Sequence, residues 1–240
     1  MTLVVFLASL LGAMALGMPI AFALLVSGLA MMWQLDAFDT QAVALQMLNA
    51  ADSFPLLAVP FFMLAGEAMT AGGLSKRLVA FALALVGHFR GGLGYVAVLA
   101  AILLSSLSGS AVADTAALAA VLIPMMRRAG YDIPRAAGLI SAGGIIAPVI
   151  PPSIGFIVFG VAANVSITSL FLAGIVPGLL MGAALALTWW MLARRERVQP
   201  LPRATGAEAL RALRDALRAL GLPVIIVAGL KFGAFTPTEA

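Results

Sequence analysis

The sequence has 240 residues, 63% hydrophobic and only 10% charged, with a formal net charge of +4 and a mean hydropathy of +1.12. Soluble domains are roughly 45–50% apolar and about 25% charged, so this much apolar surface requires lipid as its solvent and excludes a water-soluble class. The absence of cysteine excludes disulfides and thiolate metal sites, and the single histidine, His88, excludes a multi-histidine centre.

In chain order, the first apolar run is 3–35. As one helix it would reach about 50 Å, against a hydrocarbon core of about 30 Å, so it must tilt, protrude or bend. Gly17-Met18-Pro19 is the expected bend, because proline removes a backbone donor and clashes with the preceding turn. The first residues lack a basic n-region and a small-residue cleavage site, so they do not read as a cleaved signal peptide. Residues 36–54 are polar and acidic, carrying Asp36, Asp39 and Asp52 without Lys or Arg, and are expected as an external loop. A second span follows at 55–70 and contains Glu67. Residues 74–91 carry Lys76, Arg77, His88 and Arg90 on an amphipathic pattern and read as a helix lying in the interface.

Residues 93–126 are apolar at both ends but interrupted by Ser105-Ser106-Leu107-Ser108-Gly109-Ser110. Residues 136–163 read as a broken span, interrupted by Gly143-Gly144 and by Pro148-Val149-Ile150-Pro151-Pro152-Ser153. A long span at 167–192 ends in Trp189-Trp190. Residues 194–220 are a cytoplasmic amphipathic segment with Arg211, Arg214 and Arg218, and 222–240 begin another span in which the sequence stops.

Charge sets the expected topology. Thirteen of the 14 Lys and Arg residues fall in 74–91, 127–135 and 194–218, which the positive-inside rule puts in the cytoplasm. With a single crossing at 3–35, the N-terminus is then also cytoplasmic. Both flanks of 93–126 are basic, so that stretch must enter and return. Its arms, 93–107 and 110–126, are shorter than the ~20 residues a full crossing needs. A re-entrant hairpin with a Ser/Gly tip near the midplane satisfies both constraints.

Irregular backbone at membrane depth is tolerated only inside protein or along a wet cavity, because each lipid-exposed amide costs several kcal/mol. The breaks at 105–110 and 148–153 are therefore candidate sites. Broken helices can offer N-terminal amides to anions and unwound carbonyls to sodium. Ser106, Ser108 and Ser110 add hydroxyl oxygens, Gly109 permits close approach, and Pro151, Pro152 and Ser153 mark the second break. The alternatives are a polar turn or small-residue helix contact for the first break, and a ligand-free kink for the second. Asp114, one turn beyond the tip, is either an intramembrane functional carboxylate or a first-turn acid behind a Ser110 cap. Glu67 is either an ion carrier or a hydrogen-bonding group toward a neighbouring helix. No nucleophile–base pair or paired carboxylates are visible, so no enzyme is expected.

Five runs in order carry a resemblance over the whole chain. They are Phe54-Pro55-Leu56-Leu57-Ala58-Val59-Pro60-Phe61-Phe62-Met63-Leu64-Ala65-Gly66-Glu67, Leu107 to Asp114, Ile150 to Ser153, Phe171 to Gly178, and Gly233 to Ala240. They are similar to the DctM-like large membrane subunit of TRAP transporters, the tripartite ATP-independent periplasmic class. The resemblance implies an all-α integral membrane protein of the bacterial inner membrane, with a re-entrant hairpin and a broken helix forming one of two inverted repeats of an elevator-type transporter. It implies sodium as coupling ion and no other cofactor, small organic acids such as C4-dicarboxylates or sialic acid as substrates, and two partners: a small four-helix membrane subunit and a periplasmic solute-binding protein. By motif match, Ser108-Gly109-Ser110 and Pro151-Pro152-Ser153 would line the first sodium site and the substrate cavity. The hairpin's first arm has Tyr95-Val96-Ala97-Val98-Leu99 where the family often has a polar residue. Family members continue past the Phe235-Thr236-Pro237-Thr238-Glu239-Ala240 run, so a second hairpin and second sodium site would lie beyond this sequence, and this half alone is not expected to transport. Alternative readings are another elevator carrier, of the divalent-anion or arsenite class, and a membrane scaffold.

Overall fold

The computed structural model describes residues 1–194, 198 and 200–232. The Phe235–Ala240 run and the end of the 222–240 span lie outside the described residues. Among the described residues every regular element is a helix. The chain divides into two compact units, Met1–Asp52 and a second from Ser53 onward.

The first unit holds α1 (Thr2–Ala15), α2 (Ile20–Gln34) and α3 (Thr40–Ala51). The single span expected at 3–35 is instead two helices that pack against each other. Leu16 closes α1, Gly17 turns left-handed at φ 83, and the Met18 amide donates back to Ala13 O at 3.1 Å. Pro19 then stands as the N-cap of α2, where its missing donor costs nothing. The small residues Ala13, Ala23 and Ser27 are the buried positions, as close helix packing in lipid favours. The expected loop at 36–54 also differs, because most of it is α3. Asp39 caps that helix by accepting from the Gln41 amide at 2.8 Å, and the Ala, Leu, Gln and Met residues that follow are good helix formers.

In the second unit a 3₁₀ turn at Phe54–Leu57 runs into α4 (Ala58–Ala71). The joined stretch is long and apolar enough to cross a membrane, as is α10 (Ile167–Ala193), whose mean hydropathy is 2.3. Between them lie α5 (Leu74–Val86), α6 (Gly92–Ser108), α7 (Ala111–Arg128), α8 (Ile133–Gly144) and α9 (Ile154–Ala163); α11 (Gly206–Phe232) follows α10. The buried face of α5 carries Ser75, Leu78, Val79 and Ala82, an i, i+3, i+4, i+7 stripe. α5 packs on α6 and α11, so its apolar stripe is covered by protein. The amphipathic segment and the span expected as separate pieces at 194–220 and 222–240 are instead joined over 206–232 in one helix, α11, which continues through Pro223 although proline supplies no backbone donor there.

The main core lies between α5, α6, α7, α8 and α10, with Leu78, Leu104, Leu118, Leu122, Met126 and Trp189 fully enclosed. Glycines decide how closely α10 approaches. Gly174, Gly178 and Gly182 share one face, and a Cβ on each would run into the Val149 carbonyl, Ile150 and Ile102 respectively. At the far end of α10, Trp189 occupies the space a Cβ on Gly94 would need. Its indole N–H donates to Gly91 O at 2.9 Å, and Tyr131 stacks on its ring at 6.2 Å. These contacts fix α10 along α6 and against the second break.

Candidate functional site

The hairpin tip is two residues long. α6 ends at Ser108, Gly109 turns left-handed at φ 60, and Ser110 adopts an extended conformation as N-cap of α7, accepting from the Ala113 amide at 3.4 Å. Glycine is needed at 109 because a side chain meets carbonyl oxygen in the left-handed region. The arms α6 and α7 pack on each other.

The second break is built from its own hydrogen bonds. After α8 the chain passes through turns to a cis peptide between Pro151 and Pro152. Ser153, fully buried, donates from Oγ to Pro148 O at 2.6 Å and accepts from the Phe156 amide at 3.3 Å, capping α9. One side chain therefore closes the loop and starts the next helix.

The two breaks meet. A Cβ on Gly109 would stand 2.5 Å from Pro152 O, 3.1 Å from Ser153 Cα and 3.3 Å from Ile154 N. The tip thus touches the backbone of the second break with no atom to spare, and the N-termini of α7 and α9 lie side by side. Each helix start carries a partial positive charge of about half a unit. The carbonyl end of α6 arrives at the same place, so amides and carbonyls converge there.

The candidate residues differ in what they present. Ser106 Oγ donates to Leu103 O at 2.7 Å, within its own helix, as Ser105 Oγ does to Ile102 O at 2.6 Å, leaving only oxygen lone pairs to a ligand. For Ser108 the backbone is described and the side chain lies outside the described set. Asp114 is 5% exposed in the first turn of α7, where the helix dipole favours its charge. Pro151 and Pro152 contribute carbonyls and shape. Glu67 differs from all of these: it is exposed on α4, with no hydrogen-bond partner among the described residues.

Sequence reasoning did not single out Thr115, and it read Gly144 only as part of the Gly143-Gly144 interruption of the 136–163 span. The Thr115 hydroxyl, which donates to Ala111 O at 2.6 Å, occupies the space where a Cβ on Gly144 would go. The end of α8 therefore presses on the first turn of α7, next to Asp114. The signal was present as Gly143-Gly144 just ahead of the second break. No cluster of three His, Cys, Asp or Glu residues exists among the described residues. A cation here would be held by hydroxyl, carbonyl and single-carboxylate oxygens, a hard-donor set suited to an alkali ion.

Comparison with known proteins places these features in a family. Residues 7–240 match the family model for the tripartite ATP-independent periplasmic transporter, DctM component. The 2,3-diketo-L-gulonate TRAP transporter large permease protein of Escherichia coli is 59% identical over 240 residues, covering 100% of this chain and 56% of the relative. A sialic acid TRAP transporter large permease protein of Vibrio cholerae is 42% identical over 96% of the chain and 54% of its own length. A C4-dicarboxylate TRAP transporter large permease protein of Pseudomonas aeruginosa is 43% identical over 84% of the chain and 47% of its own length. The chain spans about half the length of the curated relatives it matches.

Proposed function

The chain belongs to the DctM family of TRAP transporter components, and from that premise we propose that it forms the hairpin-bearing half of a multi-pass inner-membrane permease that imports small organic acids with sodium as coupling ion. The observation that carries this reading is the contact between Gly109 and Pro152–Ile154. Amides of two helix starts suit a substrate carboxylate, while the carbonyl and hydroxyl oxygens beside them suit sodium. Ser106, Ser108, Ser110, Asp114 and Ser153 are the oxygen donors, and Gly109, Pro151 and Pro152 shape the backbone around them. The substrates in the relatives' names, a diketogulonate, sialic acid and C4-dicarboxylates, are all organic acids. The whole permease would work with a small four-helix membrane subunit and a periplasmic solute-binding protein, moving α6–α9 as part of an elevator.

The topology follows from the same parts. The hairpin re-enters from the cytoplasmic side, since the basic residues of 74–91 and 127–135 flank it. A helical pair α1–α2 that returns to the side it started from would put Thr2 on the same side as the acidic 36–54 segment, the periplasmic one, whereas one crossing over 3–35 would leave Thr2 in the cytoplasm.

Uptake into proteoliposomes is the test, using the permease with its remaining half, the small subunit and the cognate binding protein. Uptake that requires both an inward sodium gradient and the binding protein is expected. Uptake needing sodium alone would identify a one-component elevator carrier, and no uptake of any organic acid would overturn the transport reading.

A further inference from the structure

Where the end of α5, the start of α6 and the end of α10 come together, the second unit contains a cavity of about 570 Å³. It is remote in sequence from both breaks and has no part in the proposed transport site. It is lined by the apolar Val86, Phe89 and Trp190 together with Arg90, Arg194 and Tyr95. The Arg194 guanidinium lies 3.7 Å over the Trp190 ring, which fixes its plane while leaving its edge N–H groups available. Neither arginine has a carboxylate partner among the described residues, where the ion pair present is Arg135 with Asp132. Two permanently charged donors thus line a space in which no carboxylate of the described residues stands.

We propose that this cavity binds the phosphate headgroup of an anionic phospholipid from the cytoplasmic leaflet, with Arg90 and Arg194 bracketing the phosphate. Three observations favour a lipid over a free anion. The cavity sits where the apolar α10 ends in Trp189-Trp190, the position of an interfacial aromatic belt. The lining combines cationic with apolar and aromatic side chains, which matches an amphiphile. The basic segments holding Arg90 and Arg194 belong to the face that the positive-inside rule assigns to the cytoplasm, and basic pockets between helices on that side suit anionic headgroups. Because Gly91 and Ala193 touch at the same corner, a lipid held here would tie the entrance of the hairpin to the end of α10.

The competing explanation is that both arginines merely obey the topology rule and, for Arg194, the C-terminal helix dipole. The two are separated by titrating the purified chain with dioleoyl-phosphatidylglycerol and with dioleoyl-phosphatidylcholine and reading retained lipid by native mass spectrometry. Selective retention of phosphatidylglycerol is expected, weakened at least about tenfold by Arg90→Gln with Arg194→Gln. Arg211→Gln with Arg214→Gln on α11, equal in charge removed, should leave it unchanged. Thermal unfolding of each variant reports whether it is folded, and single substitutions at the same two arginines give intermediate weakening if the double variant is not. Equal retention of the two lipids, equal loss in the α11 variant, or displacement by millimolar inorganic phosphate would overturn the proposal. None of these readings depends on transport.

Discussion

The hairpin-and-break region, 92–163, and the N-terminal unit, 1–52, are both strongly apolar, yet they use apolar residues in opposite ways. In the N-terminal unit the buried positions are the small residues Ala13, Ala23 and Ser27, while Leu3, Leu11, Ile20 and Phe22 are each more than half exposed. In the hairpin region the large residues Leu104, Leu118, Leu122, Ile146 and Ile157 are enclosed, together with the polar Ser105, Asp114 and Ser153. Hydropathy therefore says that a segment is in lipid, and the position of small and polar residues says which segment is wrapped in protein. A region that must hide broken backbone builds a large-residue core around it. A region of intact helices has no such need and can leave its large side chains outside.

Several substitutions would break or sharpen that contrast. The largest effect is expected from Trp189→Ala. It empties a fully enclosed site and removes the bond to Gly91 O, and should lower stability by about 3–5 kcal/mol; Leu11→Ala, at an exposed position, should fall within about 0.5 kcal/mol. Thermal unfolding of the purified chain checks both. Gly109→Val follows. It puts a β-branched residue at φ 60 against Pro152 O, at about 1–3 kcal/mol for the backbone strain alone, and should separate the tip from the second break. Ser153→Ala removes the cap of α9 and should cost about 1 kcal/mol, with faster amide exchange in the first turn of α9. Asp114→Asn keeps the shape of the buried side chain, so it should shrink a sodium-induced rise in melting temperature more than it lowers the melting temperature itself.

The smallest effect concerns pH at the start of α11. Glu208 accepts from the Thr205 amide at 2.8 Å and from its hydroxyl at 2.9 Å, a capping box. These bonds hold its carboxyl below the ordinary value of 4.5. A lowered carboxylate contributes its stabilisation above the unfolded-state value and loses it as pH falls through the folded-state value. Amide protection at the first turn of α11 should therefore persist at neutral pH and decline only once pH falls below the ordinary glutamate range. Thr205→Ala should move that decline upward.

Much of the hairpin region was legible in the sequence. Ser/Gly at 108–110 and Pro151-Pro152-Ser153 are local signals, because a left-handed residue, a cap and a missing donor act within a few positions. The same locality made the Gly17-Met18-Pro19 break readable. The packing of α1 back onto α2, the helical state of 40–51 and the continuity of α11 were not readable, since each depends on which faces meet. The contact between Gly109 and Pro152 lies in the same class. Nothing in the spacing between 109 and 152 requires it; the glycine faces of α8 and α10 bring it about. Thr115 escaped notice because a lone threonine on an apolar helix carries no pattern, and only the closeness of Gly144 gives it a role.

The most direct test of the account is whether the hairpin tip and the second break touch in the membrane. The sequence contains no cysteine, so Ser110→Cys with Ser153→Cys gives a clean pair for a short bifunctional maleimide in native membranes. Ala101→Cys with Gly143→Cys serves as positive control, since a Cβ on Gly143 would lie 3.0 Å from Ala101 Cβ. Cross-linking of both pairs, with sodium slowing the reaction at 110 and 153, is the predicted result. Cross-linking of the control pair alone would contradict the meeting of the two breaks, and with it the site.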